Sequence, residues 1–233
     1  MKLALENLRL PPGSLDLALD CVLDGRLVAI FGPSGAGKTT LLELIAGLRR
    51  PRSGRIALGG RTLCDCSTGL WIPARRRRIG YVPQDLALFP HLSVQANLCY
   101  GMPRPVDTKK LSSICDVLEI GPLLGRMPHG LSGGEKQRAA FARAVLAEPD
   151  VLLLDEPLSS LDQPLKERIF PYLLRIRDEI GIPMLYVTHS ADEVNLLCDR
   201  MLVLERGRIV SQGAPAQLLV TTGEVRHRLR PPG

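Results

Sequence analysis

Residues 15–23, LDLALDCVL, alternate apolar with polar positions, the period-two pattern of a half-buried antiparallel strand. Just beyond them, GRLVAIFG at 25–32 is an unbroken apolar run closed by glycine, which reads as a buried parallel strand. KTTLLELIAGL at 38–48 changes to a helical period, with Gly47 as its stop signal. GRIALGGRTL at 54–63 predicts strand, turn and strand. Between about 85 and 131 prolines and glycines punctuate short helical pieces such as TKKLSSICDVLEI at 108–120, and this stretch reads as an inserted helical lobe. The pattern then predicts a helix over about 134–147, a strand at 151–155, a helix over about 164–180, a strand at 183–188, a helix over about 191–197 and two strands near 201–211. Strands alternating with helices imply a mostly parallel sheet covered on both faces.

Composition narrows this picture. With 233 residues, 45% of them hydrophobic, the chain can bury the core of one large α/β domain with an inserted lobe. Its longest apolar runs, such as VLLLD at 151–155, fall far short of the roughly 20 residues of a membrane span. The start, MKLALENLRLPPG, has charges within its apolar part and makes a poor signal peptide, so a cytosolic protein is expected. The cysteines at 21, 64, 66, 99, 115 and 198 include no CxxC pair, and CDC at 64–66 lacks zinc spacing; reduced thiols are expected.

Net charge is +6, and RRRR at 75–78 is the densest basic run. One reading is contact with nucleic acid or anionic lipid; the other is a solvated loop feeding the next strand. The second is preferred, because no aromatic residue interleaves with these arginines and aromatic content is only 4%.

Candidate chemistry begins at GPSGAGKTT, 32–40, which satisfies G-x-x-x-x-G-K-[ST] between a predicted buried strand and a predicted helix. Gly32, Pro33, Ser34, Gly35, Ala36 and Gly37 form a loop whose backbone N–H groups converge on phosphate oxygens; Lys38, Thr39 and Thr40 follow. Lys38 reaches the β- and γ-phosphates, and Thr39 offers its hydroxyl to Mg²⁺. VLLLDEP at 151–157 puts carboxylates at the C-terminal end of a strand, where open α/β sheets bind ligands. Asp155 is the expected Mg²⁺ ligand, and Glu156 the base that takes a proton from attacking water.

LSGGEKQR at 131–138 poses a separate question, since one nucleotide needs only one phosphate cradle. Ser132-x-x-Glu135 is a capping box, which accounts for the serine and glutamate but leaves Gly133 and Gly134 unexplained. Bare glycines clear a helix N-terminus, which attracts anions, for close approach. A head-to-tail dimer reconciles the two motifs, with each nucleotide lying between the loop of one copy and the LSGG of the other.

With these motifs in order, the sequence resembles the ATP-binding-cassette ATPases along nearly its whole length. The series is GPSGAGKTT, VPQD with Gln84, LSGGEKQR, VLLLDEP, SLD with Asp162, and YVTH with His189. The resemblance implies an α/β P-loop NTPase fold: a mostly parallel sheet core, a small antiparallel β subdomain and a helical subdomain inserted at about 85–145. It places the ATPase domain at 1–215, with a C-terminal helix and basic tail at 216–233. It implies Gln84 as a Mg²⁺ ligand and sensor of the transport partner, Asp162 at the dimer seam, and His189 at the γ-phosphate. It adds Ser132, Gly133, Gly134 and Gln137 to the nucleotide-binding set.

The stretches at 77–102, 134–138, 169–189 and 190–194 further resemble ATPases of bacterial molybdate importers. That resemblance implies ATP and Mg²⁺ as cofactors and a homodimer on the cytoplasmic face of the inner membrane. It also implies integral-membrane permease subunits, an indirectly coupled periplasmic solute-binding protein, and no nucleic acid. Importers of sulfate, iron or polyamines share part of the first stretch and are the alternative; a soluble nucleic-acid-associated ATPase is the remote one. Molybdate-type ATPases commonly carry a C-terminal oxyanion-binding domain after the ATPase; this sequence stops at Gly233, so either this member lacks that domain or the chain is cut, and feedback through it is expected to be absent. The family usually has an aromatic residue upstream of the phosphate loop to stack on adenine, yet residues 1–30 contain none. Leu10 or Leu15 is expected there instead, with GTP competing against ATP.

Overall fold

The structure, a computed structural model, describes residues 1–11, 15–222 and 226–229. Its strands are β1 (Lys2–Arg9), β2 (Ala18–Asp24), β3 (Leu27–Phe31), β4 (Ser53–Leu58), β5 (Arg61–Asp65), β6 (Leu70–Trp71), β7 (Ile79–Val82), β8 (Val151–Asp155), β9 (Met184–Thr188), β10 (Arg200–Glu205), β11 (Arg208–Gly213), β12 (Leu219–Thr222) and β13 (Arg226–Leu229). Its α-helices are α1 (Lys38–Ala46), α2 (Val94–Tyr100), α3 (Thr108–Val117), α4 (Gly133–Leu146), α5 (Gln163–Arg175), α6 (Ala191–Leu197) and α7 (Pro215–Leu218). Two compact units result, one formed by Met1–Arg77 with Pro183–Gly233 and the other by Arg78–Ile182.

In the first unit the strands run in the order β6-β5-β4-β1-β2-β11-β10-β3-β9. β3 pairs in parallel with β10 on one side and β9 on the other, and Leu27 to Ile30 are fully buried. An unbroken apolar run is what such a position requires, since both faces are covered. β1, β2, β4, β5 and β6 pair antiparallel. The β4–β5 turn is Gly59-Gly60, both at positive φ, which suits the twist of a two-residue hairpin. β1 was not foreseen from the sequence. Its core residues Leu3 and Leu5 alternate with outward ones, and a register shift between Leu5 and Leu8, with Asn7 at φ 47°, turns Leu8 back into the core.

The basic run is not a uniformly solvated loop. Arg77 is fully buried at the end of α1, where its Nη1 donates to the carbonyls of Leu44 (2.8 Å) and Ile45 (2.7 Å). Its Nε donates to the Ile72 carbonyl at 2.7 Å, and its guanidinium lies 4.4 Å from the centre of the Trp71 ring. Helix C-terminal carbonyls lack intrahelical donors, so a cation there satisfies hydrogen bonds and the helix dipole together. Burial pushes the Arg77 pKa down to about 10, which leaves the group charged at neutral pH. Gly47 ends α1 at φ 81°, and a Cβ there would come within 2.5 Å of Arg77 Nε.

In the second unit β7 and β8 pair in parallel, from Ile79 opposite Val151 to Val82 opposite Leu154. Helix α4 is its centrepiece, burying Ala139, Ala140, Phe141, Ala142, Val145 and Leu146, with α2 and α3 packed on it. Buried Asn97 on α2 accepts from Phe89 N–H (2.8 Å) and donates to the carbonyls of Phe89, Leu92 and Ser93, which fixes the preceding loop. After α5 the chain continues as a π-helical turn, Ile176–Ile180, ended by Gly181 at φ 77°.

A helix and basic tail were expected over 216–233. The chain instead forms the four-residue α7 and then pairs β12 with β13 antiparallel. Residues 223–225 and 230–233 lie outside the described residues. No helix among the described residues is long and apolar enough to cross a membrane.

Candidate functional site

In the first unit, β3 ends on Gly32 and the chain winds through a loop into α1. Three positive-φ glycines make that path possible: Gly32 (157°), Gly35 (77°) and Gly37 (102°). A Cβ at Gly32 would collide with the Leu204 carbonyl. Lys38 is 5% exposed, and its Nζ donates to the carbonyls of Gly32 (2.9 Å) and Pro33 (3.0 Å), folding the cation over its own loop. Gly37, at the N-cap of α1, supplies no side-chain cap, and the first turn contains no acidic residue. A helix N-terminus that no side chain of its own caps is suited to an anion.

Leu15, one of the two aliphatic residues expected beside adenine, lies against this loop: a Cβ on Gly37 would come within 2.7 Å of Leu15 Cδ2 and 3.0 Å of Leu17 Cδ1. Leu10 is buried instead, at 8% exposure.

His189 is exposed between β9 and α6, on a backbone fixed by its neighbours. Ser190 N–H donates to Thr188 Oγ1 (3.0 Å), and Ser190 Oγ accepts from Glu193 N–H (3.3 Å) as the cap of α6. The buried Glu193 carboxylate accepts from Thr188 Oγ1 (2.8 Å) and Tyr186 OH (2.9 Å). Sequence reasoning gave Glu193 no role, although Ser190-x-x-Glu193 is a capping-box pattern.

In the second unit, Asp155 ends β8 at 4% exposure, and its Oδ2 accepts from Tyr81 OH at 3.2 Å. Glu156 follows at φ 43°, so the backbone turns sharply between the adjacent acids. A non-glycine residue held there stores strain of order 1–3 kcal/mol, and such residues cluster at functional sites. Gln84 is exposed and its Nε2 donates to Ser159 Oγ at 3.3 Å. Asp162, expected at a dimer seam, caps α5 by accepting from Leu165 N–H at 3.0 Å.

The capping box of α4 forms as expected: Ser132 Oγ accepts from Glu135 N–H (3.3 Å), and Ser132 N–H donates to Glu135 Oε2 (2.8 Å). The Ser132 backbone N–H holds the Glu135 carboxyl below the usual carboxylate range. The two glycines differ. Gly133 is exposed, whereas Gly134 is buried, and a Cβ on it would lie 3.0 Å from Leu165 Cδ1; its bareness serves packing within the chain.

Gln137, expected in the nucleotide-binding set, is 1% exposed on the inward face of α4 with Ala140, Phe141 and Ala144, and among the described residues its Oε1 accepts no hydrogen bond. Beside the cap lies a cleft of about 360 Å³ lined by Ser132, Glu135, Arg138, Arg168 and Tyr172. Arg138 there donates to the carbonyls of Leu118 (3.0 Å) and Glu119 (2.8 Å).

These features agree with comparisons against known proteins. The chain is 53% identical over 192 residues to the molybdenum import ATP-binding protein ModC of Mesorhizobium japonicum, covering 81% of this chain and 52% of that one. It is 53% identical over 188 residues to ModC of Escherichia coli K12, covering 81% and 53%. The chain thus spans about half the length of the curated relatives it matches. Among solved structures, cbiO1 of Clostridium perfringens, part of an ABC transporter complex, superposes with a TM-score of 0.80 at 30% identity, covering 92% of this chain and 89% of that one. A dimeric ATP-binding cassette in a post-hydrolysis state, bound to ADP and Pi, superposes with a TM-score of 0.74 at 26% identity, covering 91% and 98%. The sequence profile of the ABC transporter family matches residues 17–159, and this chain, with its P-loop α/β fold, belongs to that family.

Proposed function

We propose that the chain is the ATP-hydrolysing subunit of an importer of molybdate or a related oxyanion. It acts as a homodimer on the cytoplasmic face of the membrane, attached to integral-membrane permease subunits that a solute-binding protein serves. The observation that carries the ATPase reading is the phosphate loop, where Lys38 is folded onto the loop carbonyls and α1 opens without a side-chain cap. The oxyanion reading rests on 53% identity to molybdenum import proteins.

In the proposed cycle two copies close on two ATP molecules. Backbone N–H groups of residues 34–39 bind phosphate oxygens, and Lys38 exchanges the Gly32 and Pro33 carbonyls for the β- and γ-phosphates. Glu156 accepts a proton from water as the water oxygen bonds to the γ-phosphorus. The bond from that phosphorus to the β,γ-bridging oxygen breaks, leaving ADP and phosphate. His189 positions the γ-phosphate, and Ser132 and Gly133 reach the nucleotide held by the other copy.

Thr39, Gln84 and Asp155 are hard oxygen donors of the kind Mg²⁺ prefers, and Asp155 already accepts one hydrogen bond as a carboxylate would. When bound, the ion neutralises phosphate charge. Among the described residues no three His, Cys, Asp or Glu side chains converge on a common point.

Mixing a Lys38→Ala chain with a Ser132→Arg chain should restore part of the ATPase activity that each lacks alone; no recovery overturns the shared centre. In a bacterium lacking its own molybdate-import ATPase, this chain should restore molybdate uptake. Restoration of sulfate uptake only would move the solute assignment and leave the ATPase reading standing.

A further inference from the structure

The arginines around the end of α1 form a surface that the proposed reaction does not use. Arg50, Arg52, Arg61, Arg75 and Arg76 are all exposed, and among the described residues none of them pairs with a carboxylate. Neighbouring Arg49 and Arg55 are neutralised by Glu43 and Glu6. The unpaired arginines come from separate stretches: Arg50 and Arg52 follow α1, Arg61 opens β5, and Arg75 and Arg76 follow Trp71. Arg50, from the loop after α1, lies 4.9 Å from the centre of the Trp71 ring, with the buried Arg77 4.4 Å from the same ring. Arg61 Nη2 donates to the Arg76 carbonyl at 2.8 Å. Leu48 and Leu70, 60% and 43% exposed, belong to the same segments. The sequence hid this aromatic, because Trp71 precedes the arginine run rather than interleaving with it.

Unpaired cations with an interfacial tryptophan and exposed leucines are the combination that an anionic membrane surface recognises. A nucleic-acid platform would instead offer several stacking aromatics, and Trp71 is the one tryptophan of the chain. We infer that the exposed arginines of these segments, Arg50, Arg52, Arg61, Arg75 and Arg76, together with Trp71 bind anionic phospholipid headgroups of the membrane on which the protein works. The inference rests on the membrane-peripheral part of the proposed function. ATP hydrolysis measured without vesicles keeps a failure of one separate from a failure of the other.

Because Trp71 is the sole tryptophan, its emission reports the contact directly. The full chain is titrated with vesicles of phosphatidylcholine alone or mixed with phosphatidylglycerol, following cosedimentation and Trp71 emission. Binding with a blue shift is expected on the phosphatidylglycerol vesicles only, weakening as salt rises. An arginine near an anionic surface changes affinity about fivefold, so the triple charge neutralisation Arg50→Gln, Arg75→Gln, Arg76→Gln should weaken binding roughly a hundredfold. These exposed changes leave basal ATP hydrolysis as it was, which confirms the variant is folded. Equal binding to both vesicle types overturns the inference, as does undiminished binding by the triple variant. A Trp71 response to single-stranded RNA or to polyglutamate, with none to phosphatidylglycerol vesicles, overturns it in favour of those partners.

Discussion

Replacing Arg77 with methionine tests how the phosphate-loop helix is held. The substitution keeps an unbranched stem against Trp71 and removes every donor. Three hydrogen bonds are lost, to the carbonyls of Leu44, Ile45 and Ile72, all at 2.7–2.8 Å. Bonds involving a charged partner contribute about 1.5–3 kcal/mol each, so the gross loss is at least about 4.5 kcal/mol. Two terms offset it. The folded state no longer buries a charge, and Nη2, which has no partner among the described residues, disappears.

Allowing about 1–2 kcal/mol for that relief leaves a destabilisation of about 3 kcal/mol. For a chain of this size that corresponds to roughly 6–12 °C in Tm. Urea unfolding of wild type and Arg77→Met should show the midpoint fall with an unchanged slope. Gly47→Ala, which drives a Cβ into Arg77 Nε, should cost less in the Arg77→Met background than alone. A loss below about 1 kcal/mol, or strictly additive effects of the two changes, would refute the buried cap.

Glu156→Gln should lower ATP turnover by about 10²–10⁴ while nucleotide affinity holds, and near-normal steady-state hydrolysis would remove Glu156 from its role. With Leu15 in place of an aromatic base platform, GTP should compete appreciably with ATP, and Leu15→Tyr should gain about 1–3 kcal/mol for ATP in equilibrium binding. A strong ATP preference in the unaltered chain counts against this assignment. Glu135 titrates below its usual value of about 4.5 in the folded state, so its contribution to the α4 cap is fully present above that value and fades as pH falls through the lowered one. The stability gap between wild type and Glu135→Gln should accordingly shrink in acid; a gap independent of pH would show that the carboxylate charge plays no part.

The motif-bearing turns were legible in the chain because their chemistry is local. GPSGAGKTT needs glycines at the positive-φ positions where they occur, and SGGE carries both halves of its capping box. What stayed hidden depends on partners distant in sequence. Four consecutive arginines look equivalent as text, yet only Arg77 meets the carbonyls of a helix that ends some thirty residues earlier. Gly134 resembles its neighbour until Leu165 packs against it, and Gln137 turns inward because the helix buries that face. β1 escaped notice since its leucines keep a single period only when the irregularity at Asn7 is counted. Helix α2 is seven residues long, too short for its periodicity to stand out between prolines.

Lys38 resting on the carbonyls of Gly32 and Pro33 has a further consequence. The ammonium never stands bare, so the arriving nucleotide meets a receptor whose shape was settled when the chain folded. Nucleotide capture then becomes an exchange of escorts for a single cation.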